Sequence, residues 1–153
     1  MEGDMPAVDA FASNAVELLR TFFVMAIVAF LCSAFLAVTF LQSAINKIAD
    51  YKGNRDYFNS QFGQTPLRGA VGFLLPVLTL FELLSGLLCL AGMIMVLVNG
   101  QTTWMILGCS FSAFTIVCLL LGQRIAKDYA GAASLTGYFI VAIAGLIGTA
   151  FCG

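Results

Sequence analysis

The chain has 153 residues, 61% of them hydrophobic and only 10% charged, with a formal net charge of −1. Soluble domains carry about 25% charged residues, so this composition excludes a water-covered globule, and a disordered segment would show the reverse bias. Seven Lys+Arg against eight Asp+Glu leave no basic excess for a nucleic acid; what remains is an integral membrane protein.

The first twenty residues are acidic (Glu2, Asp4, Asp9, Glu17), with Arg20 as their one basic group. A cleavable signal is not expected, because its leading region is basic and the apolar run that follows here is too long. Val8, Phe11, Ala12, Ala15, Val16 and Leu19 recur at helical spacing, with Asp9, Asn14 and Glu17 between them. The spacing predicts a short amphipathic helix over 1–20, lying on the membrane or packed against the bundle. Asp4 with Pro6 close behind marks its start.

Four apolar stretches follow, read as helices over about 21–46, 69–98, 103–123 and 132–152. A bilayer core of about 30 Å needs about 20 helical residues, and each stretch reaches that. The runs are continuous and lack period-2 alternation, so helices satisfy their backbone groups in lipid where strands would not. The predicted fold is all-α: a four-helix transmembrane bundle with a short N-terminal amphipathic helix. The second stretch is too long for an upright span. Pro76 either begins its helix or kinks it by freeing the Gly72 carbonyl.

The connections differ in character. The first, Asn46 to Arg68, is long and mixed; the second is a tight turn at Asn99-Gly100-Gln101; the third, Gln123 to Gly131, is short and charged. Lys47, Lys52, Arg55, Arg68, Arg124 and Lys127 sit on one side and Arg20 on the other. The positive-inside rule then places the first and third connections in the cytoplasm and both termini outside it, as in a bacterial inner membrane. Trp104 falls at the outer boundary, and Tyr51, Tyr57, Phe58 and Phe62 at the inner one. Gly137, Ala144, Gly145, Gly148 and Cys152 form a small-residue stripe on the fourth helix, as Gly108, Ser112 and Thr115 do on the third. Such stripes are where membrane helices approach closely.

No histidine is present, and the cysteines Cys32, Cys89, Cys109, Cys118 and Cys152 form no C-x-x-C pair. No metal site or haem is expected from so scattered a set, and in apolar runs cysteine serves as a small hydrophobe. A buried redox pair would require folding to bring two of them together.

Glu82 is the informative residue. A charge near a helix centre costs about 2.5–3.5 kcal/mol on insertion scales, so an acid there is protonated, paired or facing water. It exchanges protons or binds a ligand, or else it links helices through Gln42, Thr79, Ser85, Thr136 or Tyr138. A second polar group gathers at one end of the bundle. Gln42 and Asn46 lie four apart on one helix face beside Lys47, and Gln123, Arg124, Lys127, Asp128 and Tyr129 enter from the third connection. A helix begun at Pro76 would hold Glu82 about 9 Å below this group. The candidate ligand-binding set is Gln42, Asn46, Lys47, Glu82, Arg124, Lys127 and Tyr138, with Glu82 the candidate catalytic group.

The runs FLQSAINKIADY (Phe40–Tyr51), FNSQFGQTPL (Phe58–Leu67) and ELLSGLLCLAG (Glu82–Gly92) resemble the DoxX/DoxD-like membrane family. That family carries a G-x-x-K near the end of helix one and an E-x-x-x-G-x-x-L-x-x-G in helix two. Lys47 matches the lysine, Glu82 the acid, and Gly86 and Gly92 the glycines; Ser43 or Ala44 stands where the first glycine often falls. The tail Gly122–Gly148 is similar to the last helix of bacterial members. The resemblance implies a four-helix membrane bundle. Some members are similar to subunits of thiosulfate:quinone oxidoreductase and of redox-linked complexes; relatives such as the methylamine-utilisation protein MauE are implicated in disulfide handling, and others act as assembly chaperones.

Two functions follow as expectations. One is a DoxX-like, redox-linked subunit of a larger membrane complex that interacts with quinone. Glu82, Gln42, Lys47 and Tyr138 would supply the polar side of its site, and no cofactor would be intrinsic to the chain beyond bound quinone or lipid. The other is a non-catalytic accessory or assembly subunit. In both, the partners are lipids and other membrane subunits, not nucleic acid. Transport is disfavoured by the lack of an internal repeat.

Overall fold

A computed structural model describes residues 5–152, with side chains from Asp9 onward. The expected helix start at Asp4, the acidic Glu2 and the side chains of Pro6 and Val8 lie outside the described residues. Five helices follow one another: α1 (Met5–Ala49), α2 (Tyr51–Gln61), α3 (Val71–Asn99), α4 (Thr103–Ile125) and α5 (Tyr129–Ala150). No strand occurs among the described residues. Four helices, all but α2, are long and apolar enough to cross a membrane. The protein is therefore an all-α integral membrane protein.

The four long helices close a ring in which α1 packs on α3, α3 on α4, α4 on α5, and α5 back on α1. The centre is filled by Leu36, Ala37 and Phe40 of α1, Cys89 of α3, Cys109, Ala113 and Ile116 of α4, and Ala142 of α5. Large apolar side chains such as Phe73, Leu97, Leu121 and Ile140 point outward, as they do when lipid is the solvent. With no hydrophobic force between helices in lipid, close backbone approach holds the ring together. Gly108 shows this: a Cβ there would lie 2.8 Å from the Cys89 amide nitrogen. At Gly148 it would lie 2.9 Å from the Met25 carbonyl oxygen. The expected stripe on α5 does not extend to Gly137, which is exposed and faces open space.

Three features depart from expectation. First, α1 runs unbroken from Met5 to Ala49, so residues 5–20 continue the first long helix and are not a separate short one. No Gly or Pro occurs between Ala7 and Ala49 to interrupt the helix. Phe11, Val16, Leu18 and Leu19 stay exposed and do not pack on the bundle. Second, the first connection holds a helix of its own. Asp50 caps α2 by accepting from the Gly53 amide at 3.0 Å. Third, α3 begins at Val71, so Pro76 is interior and not in the first turn. The Gly72 carbonyl that it frees lies on an exposed residue near the helix end, where the lost bond is tolerated. The turn after α3 is as read: Gly100 takes φ 70°, the left-handed conformation that ends helices.

Candidate functional site

The last turns of α1 carry Thr39, Gln42, Ser43, Asn46 and Lys47 at spacings of three and four, which puts them along one side of the helix. The antiparallel neighbour α3 approaches this segment closely, since a Cβ on Gly86 would lie 2.7 Å from Leu41 Cγ. That register brings Lys47 to Glu82. The Lys47 Nζ donates to Glu82 Oε1 at 2.9 Å, to Oε2 at 2.8 Å and to Ser43 Oγ at 2.7 Å. An ammonium has three hydrogens, so every one is engaged. Glu82 is 2% exposed and Lys47 13%. A buried pair of this kind is tolerated only with good geometry and with its remaining hydrogen-bond capacity used.

Two of the other expected partners of Glu82, Thr79 and Ser85, bond elsewhere, and a third, Thr136, faces away. Thr79 donates to the Leu75 carbonyl at 2.8 Å. Ser85 lies 2.9 Å from the Thr115 hydroxyl and donates to the Phe81 carbonyl. Thr136 is exposed on α5.

The ion pair forms part of the wall of a cavity of about 500 Å³ between α1, α4 and α5. Gln42, Asn46, Gln123 and Tyr138 supply further polar groups to the wall; Phe40, Leu36, Ile116 and Leu119 supply apolar surface. Phe35 stacks on Tyr138 with centroids 5.9 Å apart and joins α1 to α5 there. From α2, Phe58 also lines the cavity and stacks on buried Phe62 at 5.9 Å. Gln61 fastens the end of α2 by donating to Asp128 Oδ2 at 3.1 Å. Asp128 also caps α5 through the Gly131 amide at 2.9 Å.

Of the residues singled out in the sequence, Gln42, Asn46, Lys47, Glu82 and Tyr138 meet at this cavity. Arg124 and Lys127 do not line it. Successive helical residues turn by about 100°, so Gln123 faces in while Arg124 points away and lies 5.6 Å over the Tyr129 ring. Lys127 is exposed in the α4–α5 turn with φ 60°. The structure adds Ser43 and Phe58. Ser43 carried a usable signal, being one helical turn before Lys47. Phe58 shows in the sequence only as an aromatic of the inner boundary, because the polar composition of α2 hides its helical face.

A model of the family described as methylamine utilisation protein MauE matches residues 25–128. The chain belongs to the MauE family. The match covers well over half of the sequence and takes in the Lys47–Glu82 pair and every polar cavity residue but Tyr138. It falls on MauE, one of the relatives of the resemblance, and not on the DoxX/DoxD-like pattern itself. No curated protein and no solved structure matches this MauE-family chain.

Proposed function

We propose that this MauE-family protein is an accessory membrane subunit of a methylamine-utilisation system, linked to redox chemistry through a quinone whose head enters the Lys47–Glu82 cavity. The observation that carries the quinone reading is a buried ion pair on the wall of a cavity whose other lining combines the amides Gln42, Asn46 and Gln123 with aromatic and aliphatic side chains. A quinone offers two carbonyl acceptors and an apolar body. The Tyr138 hydroxyl and the amides of Gln42, Asn46 and Gln123 are donors for the carbonyls, and Phe35, Phe40 and Phe58 flank the ring. Lys47 is already saturated, so its part is to hold the Glu82 carboxylate in place. Glu82 is the group positioned to exchange protons as the quinone is reduced. Electrons come from a partner subunit, because cofactors carry such chemistry and the protein supplies binding and orientation. In this reading the α2 end faces the cytoplasm of a bacterium, by the six-to-one bias of Lys and Arg.

The test is decylubiquinone reduction by native membranes in which the chain carries Glu82→Gln. A drop of at least tenfold is expected, and Tyr138→Phe should raise the quinone KM severalfold. An unchanged rate in Glu82→Gln membranes removes the quinone role.

The same saturated Lys47 favours a second reading, a non-catalytic assembly subunit, since the cavity holds no paired nucleophile and base. Deleting the protein and sizing the partner complex tests it. A complex that assembles in full without this chain counts against that reading.

A further inference from the structure

A second cavity lies between α2, α3 and α4 and differs in kind from the first. Its volume is about 310 Å³, at the lower end of ligand sites, which run from about 300 to 1,000 Å³. Val71, Leu74, Leu78 and Phe81 face it from α3, at spacings of three and four that make one stripe of the helix. Phe58, Phe62 and Leu67 close it from α2 and the connection that follows. The lining carries no charged, amide or hydroxyl side chain, so a polar guest would leave its hydrogen bonds unmade there. From Val71 to Phe81 the stripe rises about 15 Å at about 1.5 Å per residue, half of a hydrocarbon core of about 30 Å. The cavity is thus one leaflet deep. At its deep end the Phe81 ring is held 5.7 Å from Phe111 and 5.8 Å from Phe114, centroid to centroid. On the lipid side Leu121 and Ile125 of its wall are exposed.

The mouth is polar and cationic. The connection after α2 turns its apolar residues in and its polar ones out: Phe62 is buried and Leu67 half-buried, whereas Gln64 and Arg68 are exposed. Thr65 fixes the bend by donating to the Phe62 carbonyl at 2.9 Å and accepting from the Leu67 amide at 3.3 Å. Two polar recesses adjoin it. Arg68 lines one and Lys127 the other, and Ser60 and Gln64 belong to both. Arg68 follows Leu67 of the cavity wall by one residue, and Lys127 follows Ile125 by two. Among the described residues neither cation forms an ion pair. The neighbouring carboxylate, Asp128, already accepts from the Gln61 side chain and the Gly131 amide.

We propose that this cavity and its mouth bind one anionic phospholipid of the leaflet at the α2 end, with an acyl chain between α3 and α4 and the phosphate at Arg68 and Lys127. Each part of such a lipid has its counterpart: a dry slot as deep as one leaflet for the chain, and two cations without carboxylate partners for the head. Hydrogen bonds from ammonium and guanidinium groups to phosphate oxygens are charge-assisted and strong. The site stands apart from the quinone reading, since Phe58 is the one residue that lines both cavities. Through that ring the bound lipid braces α2 against the bundle.

The test places the full chain in phosphatidylcholine nanodiscs doped with phosphatidylglycerol carrying a diazirine on one acyl chain, or with the matching phosphatidylcholine probe. After illumination the labelled residues are mapped by peptide mass spectrometry. The phosphatidylglycerol probe should label Leu74, Leu78 and Leu121 at least fivefold more than the phosphatidylcholine probe, about the effect of one basic residue near an anionic head. Ile140, exposed on α5, should be labelled alike by both. Arg68→Gln with Lys127→Gln should bring the two probes to parity in the cavity. Gly122→Leu fills the slot from a position where a new Cβ meets only Phe62, at 3.9 Å. It should cut cavity labelling at least fivefold and leave Ile140 unchanged. Equal cavity labelling by the two probes in the parent chain would mean ordinary lipid contact and overturn the proposal. Absence of cavity labelling beside normal labelling of Ile140 would do the same. Displacement of the label by ubiquinone-10 but not by unlabelled phosphatidylglycerol would give the slot to a quinone tail instead.

Discussion

Lys47 and Glu82 sit 35 positions apart and share two hydrogen bonds below 3 Å with both side chains largely buried. Removing one partner strands the other. Lys47→Ala should therefore cost about 3–5 kcal/mol, whereas the apolar double replacement Lys47→Met with Glu82→Leu should cost far less. Unfolding in detergent micelles, run as a double-mutant cycle, measures the coupling. A single substitution no more damaging than the double would show that the two groups do not depend on each other. Both residues stood out in the sequence, one as an acid inside an apolar run and the other as a cation near a helix end. Their pairing did not, because Gln42, Thr79, Ser85, Thr136 and Tyr138 were equally plausible partners for the acid. The choice is made by the register between α1 and α3, which no local pattern records. Rotation about a helix axis was equally hidden, and it separates Gln123, inside the cavity, from Arg124, outside it.

At the scale of the elements, the spans were readable because length and hydropathy are strong signals. Their ends were less so. The helix α2 has a polar, mixed composition, and what starts it is the Asp50 side chain on the Gly53 amide, a signal of a single residue. The seam between α3 and α4 depends on two glycines, Gly92 against Met105 and Gly108 against Cys89, and it yields the next prediction. A methyl at Gly108 meets backbone atoms of Cys89 at 2.8 and 2.9 Å, and backbone does not give way as a flexible side chain would. Gly108→Ala should destabilise the bundle by about 1–3 kcal/mol, the range for overpacking. Gly137→Ala, with nothing within 4 Å of the new carbon, should unfold like the parent. Equal midpoints for the two variants in the same detergent would mean that the α3–α4 contact is looser than the structure has it.

For the whole molecule, the distribution of charge makes the orientation testable. Six basic residues gather at the α2 end, and Gly100 marks the opposite end. In a chain freed of its native cysteines, Asn54→Cys should be shielded from a membrane-impermeant maleimide in intact cells and Asn99→Cys should react. The reverse pattern would invert the proposed topology. The architecture was legible because it follows from where apolar side chains must go. The reach of α1 was not, since a helix that leaves the bundle has no packing pattern to mark it. The Cys152 Sγ lies 4.0 Å from the Phe22 carbonyl oxygen, so α5 ends beside Phe22. From Asp9 to Thr21 the first helix has no buried side chain, about 20 Å of it at a rise of about 1.5 Å per residue. That exposed rod offers a handle. A subunit gripping it would hold this protein at one extremity, and the Lys47–Glu82 chamber at the far end would stay open for its guest.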